Sequence, residues 1–168
     1  MSSPETKISK RILAVCLGNI CRSPAAEVIL RFAIEKSGYA NQIEVASAGT
    51  ASFHTGKLAD SRMRAAASLR GYELNGKARQ LVRADLSTFD LILAMDHDNL
   101  RAIHQLGDFT KGRARLFSDF LGPEWPRDVP DPYYGGEAGF EYVLDMLEAG
   151  APAVIDQFVT EQGIRKPN

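Results

Sequence analysis

The apolar residues of this chain alternate between two periodicities. Arg11 to Val15 (RILAV) is a short run rich in strand formers, the pattern of a buried strand. Cys16 to Arg22 interrupts it, with Gly18 and Asn19, two residues that accept turn conformations, at the centre. Ser23-Pro24 predicts a helix start, with Ser23 as N-cap and Pro24 at the first helical position, where a missing N–H costs nothing. Ala26, Ile29, Leu30, Ala33 and Ile34 then form one helical stripe, and Gly38 supplies the stop. The first 38 residues therefore spell strand, tight loop, helix.

The alternation repeats. Ile43 to Ala48 (IEVASA) alternates as a strand does and ends at Gly49, and Ser61 to Arg70 is helix-prone up to Gly71. Phe89 to Met95 (FDLILAM) is a second buried strand. Asp96 caps a helix carrying Leu100, Ile103 and Leu106 as far as Gly107, and Ala114 to Phe117 is a short strand. Phe140, Val143, Leu144, Leu147, Ala151, Val154, Ile155 and Phe158 carry a last helical stripe, which Pro152 is expected to kink or split. Strands alternating with helices predict right-handed βαβ units: an α/β chain with an open, mostly parallel four-stranded sheet and helices on both faces, Rossmann-like in outline. With no repeat and no linker, residues 1–168 read as one domain, of which 1–9 form a polar, loosely ordered N-terminus. In such sheets ligands bind beyond the C-terminal strand ends. Loop Cys16–Arg22 and the segment 127–136 (RDVPDPYYGG) are both expected there, facing one cleft.

Composition narrows the partners. Hydrophobic residues make up 45% and charged residues 24%, which excludes a disordered or collagen-like chain. Twenty basic against 21 acidic residues leave a net charge of −1, so no global field steers the chain to nucleic acid or anionic lipid. The longest apolar run, Ile12 to Leu17, is too short for a membrane span, and MSSPETKISK contains no apolar signal core. A cytoplasmic location without membrane or nucleic-acid partners is the expectation. Two cysteines build no disulfide scaffold, and His54, His97 and His104 lack the spacing of a zinc site, so no metal or cofactor is expected.

The loop VCLGNICRSP carries the candidate chemistry. A turn between a strand and a helix N-terminus points several backbone N–H groups into a concavity that suits a tetrahedral oxyanion. Cys16, at its start, sits in the positive potential of those amides, the helix end and Arg22, which favours thiolate over thiol. Arg22 supplies a planar fork for two oxygens, and the Ser23 hydroxyl can donate to the sulfur. Cys21 has two readings: packing beneath the loop, or trapping an oxidised Cys16 as a disulfide, which would make the site redox-sensitive.

Taken together these motifs resemble the low-molecular-weight protein tyrosine phosphatases. VCLGNICRSP resembles their phosphate-binding loop and Asp131-Pro132-Tyr133-Tyr134 their late acid loop. Ser47 to Gly49 (SAG), Ala78 to Leu81 (ARQL) and Met95-Asp96 extend the similarity along essentially the whole chain. The resemblance implies Cys16 as nucleophile, Arg22 as transition-state clamp, and Asp131 as general acid and then general base. It implies that Leu17, Gly18, Asn19, Ile20, Cys21 and Ser23 form the phosphate cradle, with Asn19, Ser23 and Ser47 holding its shape. Leu17, Ile20, Phe53, Tyr133 and Tyr134 would wall the cleft. Gly76 stands where the family often has a histidine supporting the loop asparagine.

The implied substrates are phosphotyrosine proteins, the implied inhibitors phosphate and vanadate, and the implied state a monomer or weak homo-oligomer. Asp128 competes with Asp131, but only Asp131 is fixed between prolines and followed by an aromatic pair. Two other functions use the same loop. An arsenate reductase of the thioredoxin-linked kind needs further cysteines, and none follows Cys21; a non-catalytic phosphate binder needs neither nucleophile nor acid. A phosphoarginine-specific branch carries threonine where this chain has Ile20, whose bulk favours an aryl phosphate.

Overall fold

The computed structural model describes residues 8, 10–108, 110 and 112–166. The polar N-terminus expected at 1–9 lies outside this range except for Ile8, which is exposed. Four strands form the sheet: β1 (Lys10–Cys16), β2 (Ile43–Gly49), β3 (Leu91–Ala94) and β4 (Ala114–Leu116). They pair in the order β2-β1-β3-β4, every pair parallel. The helices are α1 (Arg22–Lys36), α2 (Ser61–Ser68), a short α3 (Asp85–Thr88), α4 (His97–Leu106) and α5 (Glu137–Gln162), with a 3-10 turn at Phe117–Phe120.

Residues 12–16 of β1 are all buried because both faces of the sheet are covered. Ile12, Ala14 and Cys16 join Leu91 and Leu93 beneath the apolar stripes of α1 and α5. Leu13, Val15, Ile92 and Ala94 point the other way, toward Leu86 of α3 and Ile103 of α4. The chain moves from β1 to β2 on one side, then crosses back to β3 on the other. The crevice of this strand order therefore opens at the C-terminal ends of β1 and β3.

Helix ends follow local chemistry. Gly38 takes φ +88 after α1, and the N–H groups of Gly38 and Tyr39 close on the carbonyls of Glu35 and Ile34. Asp60 caps α2 by accepting from the Arg62 N–H at 2.8 Å.

Five expectations need correction. Helix α1 begins at Arg22, so Ser23 lies inside the helix and does not cap it; its hydroxyl is used elsewhere. Pro152 does not split α5, which is continuous over 26 residues because packing of its apolar stripe outweighs one lost backbone bond. The strand read over Phe89–Met95 pairs only at Leu91–Ala94, and Phe117 leaves β4 for the 3-10 turn. The helix read to Arg70 ends at Ser68.

Gly49, the last residue of β2, lies against the turn that follows β1. A Cβ there would stand 2.8 Å from the Leu17 carbonyl oxygen and 3.0 Å from the Asn19 nitrogen, both backbone atoms that cannot rotate aside. Gly49→Ala should therefore displace the turn and destabilise the fold by about 1–3 kcal/mol in urea unfolding. Gly76→Ala, with nothing within 4 Å of its Cβ, should change stability by less than about 0.5 kcal/mol.

Candidate active site

The loop after β1 hangs by its carbonyls. Those of Cys16, Leu17 and Ile20 accept from the N–H groups of Thr50, Ala51 and Asp60 at 2.9, 2.9 and 2.8 Å. With the carbonyls engaged outward, the Asn19 N–H points to Cys16 Sγ at 3.3 Å. The N–H groups of Gly18, Ile20 and Cys21 have no acceptor within the chain among the described residues. The loop therefore offers donors that no described protein group uses, with one of its N–H groups on the sulfur.

Asn19 holds the loop in shape. Its φ of 57° is left-handed, a conformation asparagine tolerates better than other side chains. Its amide orientation is decided by its neighbours: Oδ1 accepts the Arg79 N–H at 3.0 Å, and Nδ2 donates to Ser23 Oγ at 2.8 Å and Ser47 Oγ at 2.9 Å. Ser47 in turn donates to Glu27 at 2.8 Å. Because Ser23 accepts from Asn19, its own hydrogen is free for Cys16 Sγ at 3.0 Å; a thiolate there can only accept. Asn19 thus makes three side-chain hydrogen bonds with a glycine at position 76, where a pocket of about 210 Å3 opens behind the loop. Both hydrogens of the amide and its oxygen have partners without a side chain from position 76.

Arg22 is 2% exposed. Its Nη1 donates to Asp96 at 2.6 Å and to the Val129 carbonyl at 3.0 Å, and Nη2 lies 3.6 Å from Asp131. Burial opposes its charge, but Cys16, Asp96 and Asp131 outweigh burial and hold its pKa above the ordinary value. The sequence marks Asp96 as a helix cap and as part of a family motif, but assigns it no contact with Arg22. It does cap α4, accepting from the Asn99 N–H at 2.7 Å, while its second oxygen aims Arg22.

Asp131 and Asp128 are separated by their partners. Asp131 borders the cleft with one oxygen on the Tyr133 N–H at 3.1 Å and the other toward Arg22. Asp128 is engaged by α4 through the backbone N–H and ring Nδ1 of His97. The cleft, about 100 Å3, has Cys16 and Arg22 in its floor and Leu17, Ile20, Phe53, Tyr133 and Tyr134 in its walls. Gly18 and Cys21 also border it, while Asn19, Ser23 and Ser47 act from behind the loop. His54, which the sequence assigned no site role, stands in the wall with its ring 6.1 Å from that of Tyr133. Only the fold of residues 53–60 over the loop brings it there. Burial, reinforced by Asp60, Cys16 and Asp131, pushes the Cys21 thiol up to about 12. Among the described residues no three His, Cys, Asp or Glu side chains converge as a metal site, and no helix is long and apolar enough to cross a membrane.

Comparison with known proteins agrees with this geometry. The family model for low molecular weight phosphotyrosine protein phosphatase matches residues 11–163. A low molecular weight protein-tyrosine-phosphatase of Streptomyces coelicolor is 41% identical over 149 residues, covering 86% of this chain and 91% of that protein. The Rattus norvegicus low molecular weight phosphotyrosine protein phosphatase is 37% identical over 139 residues, 80% and 87% of the two chains. Among solved structures, a protein tyrosine phosphatase of Entamoeba histolytica with Hepes in its active site superposes with a TM-score of 0.86 at 41% identity, covering 92% of this chain and 99% of that one. Vibrio vulnificus Wzb in complex with benzylphosphonate superposes with a TM-score of 0.78 at 32% identity, covering 89% and 99%. Loop, acid segment, sheet order and these matches together assign the chain to the low molecular weight phosphotyrosine protein phosphatase family.

Proposed function

We propose that the protein hydrolyses phosphotyrosine in protein substrates through a phosphocysteine intermediate on Cys16. The observation that carries this reading is the Cys16 sulfur lying between the Ser23 hydroxyl and the Asn19 N–H, with Arg22 in the same cleft floor and Asp131 at its border. The phosphoryl oxygens bind the loop N–H groups and the Arg22 fork, which stabilise the charge of the transition state. The sulfur attacks phosphorus, and the P–O bond to the tyrosyl oxygen breaks as Asp131 gives that oxygen its proton. Asp131, now a carboxylate, takes a proton from water. The resulting hydroxide attacks phosphorus, and the S–P bond breaks to return the thiolate, stabilised by Ser23 and Asn19. The exposed rings of Phe53 and Tyr134, with the half-buried Tyr133, offer an aryl group faces to stack on. The walls and Ile20 favour phosphotyrosine over phosphoarginine, as does the aromatic phosphonate bound by the Vibrio relative.

Three measurements test the roles. Cys16→Ser should lose turnover of a phosphotyrosine peptide to below detection while inorganic phosphate and vanadate still bind in calorimetry; residual turnover by pure protein rejects the nucleophile. Arg22→Lys should lose at least about 10²-fold in kcat, because a point charge does not reproduce the fork or its grip on Asp96. Asp131→Asn should slow the first chemical step about 10²–10⁴-fold on phosphotyrosine and far less on nitrophenyl phosphate, whose phenol leaves as the anion. Equal slowing in single-turnover experiments removes Asp131 as the acid, and that pattern appearing in Asp128→Asn instead transfers the role.

A fourth addresses the second thiol. With its pKa near 12, Cys21 is protonated at neutral pH. Iodoacetamide at pH 7 should therefore label Cys16 and leave Cys21 unmodified in the native enzyme, as read by peptide mass spectrometry. Peroxide followed by reductant should restore more activity to the native enzyme than to Cys21→Ser if Cys21 traps oxidised Cys16; equal recovery leaves Cys21 as packing alone.

A further inference from the structure

We infer that His97 and Asp128 form a latch that positions Asp131 over the cleft, so that both are positioning residues for proton delivery to the leaving group. The inference rests on Asp131 being the acid.

Asp131 needs such a hold because, with Arg22 Nη2 standing off at 3.6 Å, its one hydrogen bond among the described residues is local. Pro130 and Pro132 flank it and have no N–H, and its carboxylate accepts from Tyr133, two residues away, which ties the turn to itself rather than to the body of the protein. The aim of the carboxylate therefore depends on how the chain is held on either side. Downstream, Arg62 donates to the Tyr133 carbonyl at 2.9 Å. Upstream, residues 128 and 129 are clasped to residues 95 to 97. The Val129 N–H donates to the Met95 carbonyl at 2.9 Å, and the Val129 carbonyl accepts from Arg22 at 3.0 Å. Asp128 completes the clasp with one oxygen that accepts the His97 backbone N–H at 3.0 Å and its ring Nδ1 at 2.5 Å. A carboxylate only accepts, so Nδ1 carries a hydrogen.

The location of the clasp gives it its effect. His97 is the first residue of α4 and directly follows Asp96, which fixes Arg22. One turn of chain thus holds both the guanidinium and the base of the acid segment, and sets their separation. Both latch side chains are 49% exposed, so their pairing adds little to global stability. Its effect is on position: a shift of about 1 Å in a reacting group can cost about 10²-fold in rate.

The test uses single-turnover phosphorylation of Cys16 in the full chain, with a phosphotyrosine peptide and with nitrophenyl phosphate. His97→Ala and Asp128→Ala should each slow the peptide reaction about tenfold or more and the nitrophenyl reaction less than about twofold. The nitrophenyl rate also reports that the phosphate loop is intact. His97→Asn, whose Nδ2 can reach the same carboxylate oxygen, should recover most of the peptide rate. In an Asp131→Asn background His97→Ala should have no further effect on either substrate. Equal slowing of both substrates by His97→Ala, or a full additional loss in that background, overturns the latch. Leaving-group dependence in Asp131→Asn with none in His97→Ala also overturns the latch alone. Equal slowing of both substrates by Asp131→Asn removes the acid, and the latch falls with it.

Discussion

A guanidinium as buried as that of Arg22 must be paired, and the C-terminal edge of the sheet is arranged around that requirement. Its partners come from three places: Asp96 at the end of β3, the Val129 carbonyl, and Asp131 beyond it. Each is where it is because Arg22 opens α1 directly above the end of β1. The pairing brings the β3–α4 turn and the late loop to the same crevice, which is also where the strand order reverses. An anion that enters displaces no partner needed to keep the arginine satisfied: Asp96 and Val129 hold one nitrogen while the Asp131 side stays open at 3.6 Å.

The phosphate loop solves a second problem, the direction of a proton. The Ser23 hydroxyl can serve sulfur or the Ala48 carbonyl, at 3.0 and 3.4 Å. Asn19 donates into its oxygen from behind, and Ser47 and Glu27 anchor the asparagine's other hydrogen and its direction. The hydrogen that remains has Cys16 Sγ as its nearer acceptor. Turn geometry and protonation order are thus set by one side chain in a left-handed conformation.

Strands, helix stripes and the cysteine loop were legible because each depends on residues close in sequence. The unbroken apolar run from Ile12 to Val15 reads directly as a strand buried on both faces, and the loop follows it and precedes α1. The failures share one cause. Ser-Pro signals a helix cap by local rules, yet Ser23 is inside the helix because its hydroxyl serves a sulfur seven residues back. Asp96 carries a cap signature and a distant ion pair at once, and a sequence displays only the first. His54 and the His97–Asp128 pair depend on loops folding over one another, which no periodicity encodes. Pro152 violates a strong local rule that the packing of α5 overrides.

The bonds that complete the site have a consequence for how it opens. Asn19 reaches Ser47 and Arg79 across 28 and 60 residues, and Arg22 reaches Asp96 and Val129 across 74 and 107. Cys16 ends the first strand, yet the residues that shape and complete its cleft come from distant parts of the chain. The cleft is complete only with β3 paired beside β1 and residues 128 to 131 clasped to residues 95 to 97. Local opening of the late loop would take Asp131 and the Val129 carbonyl away from Arg22 without breaking any pairing of the sheet.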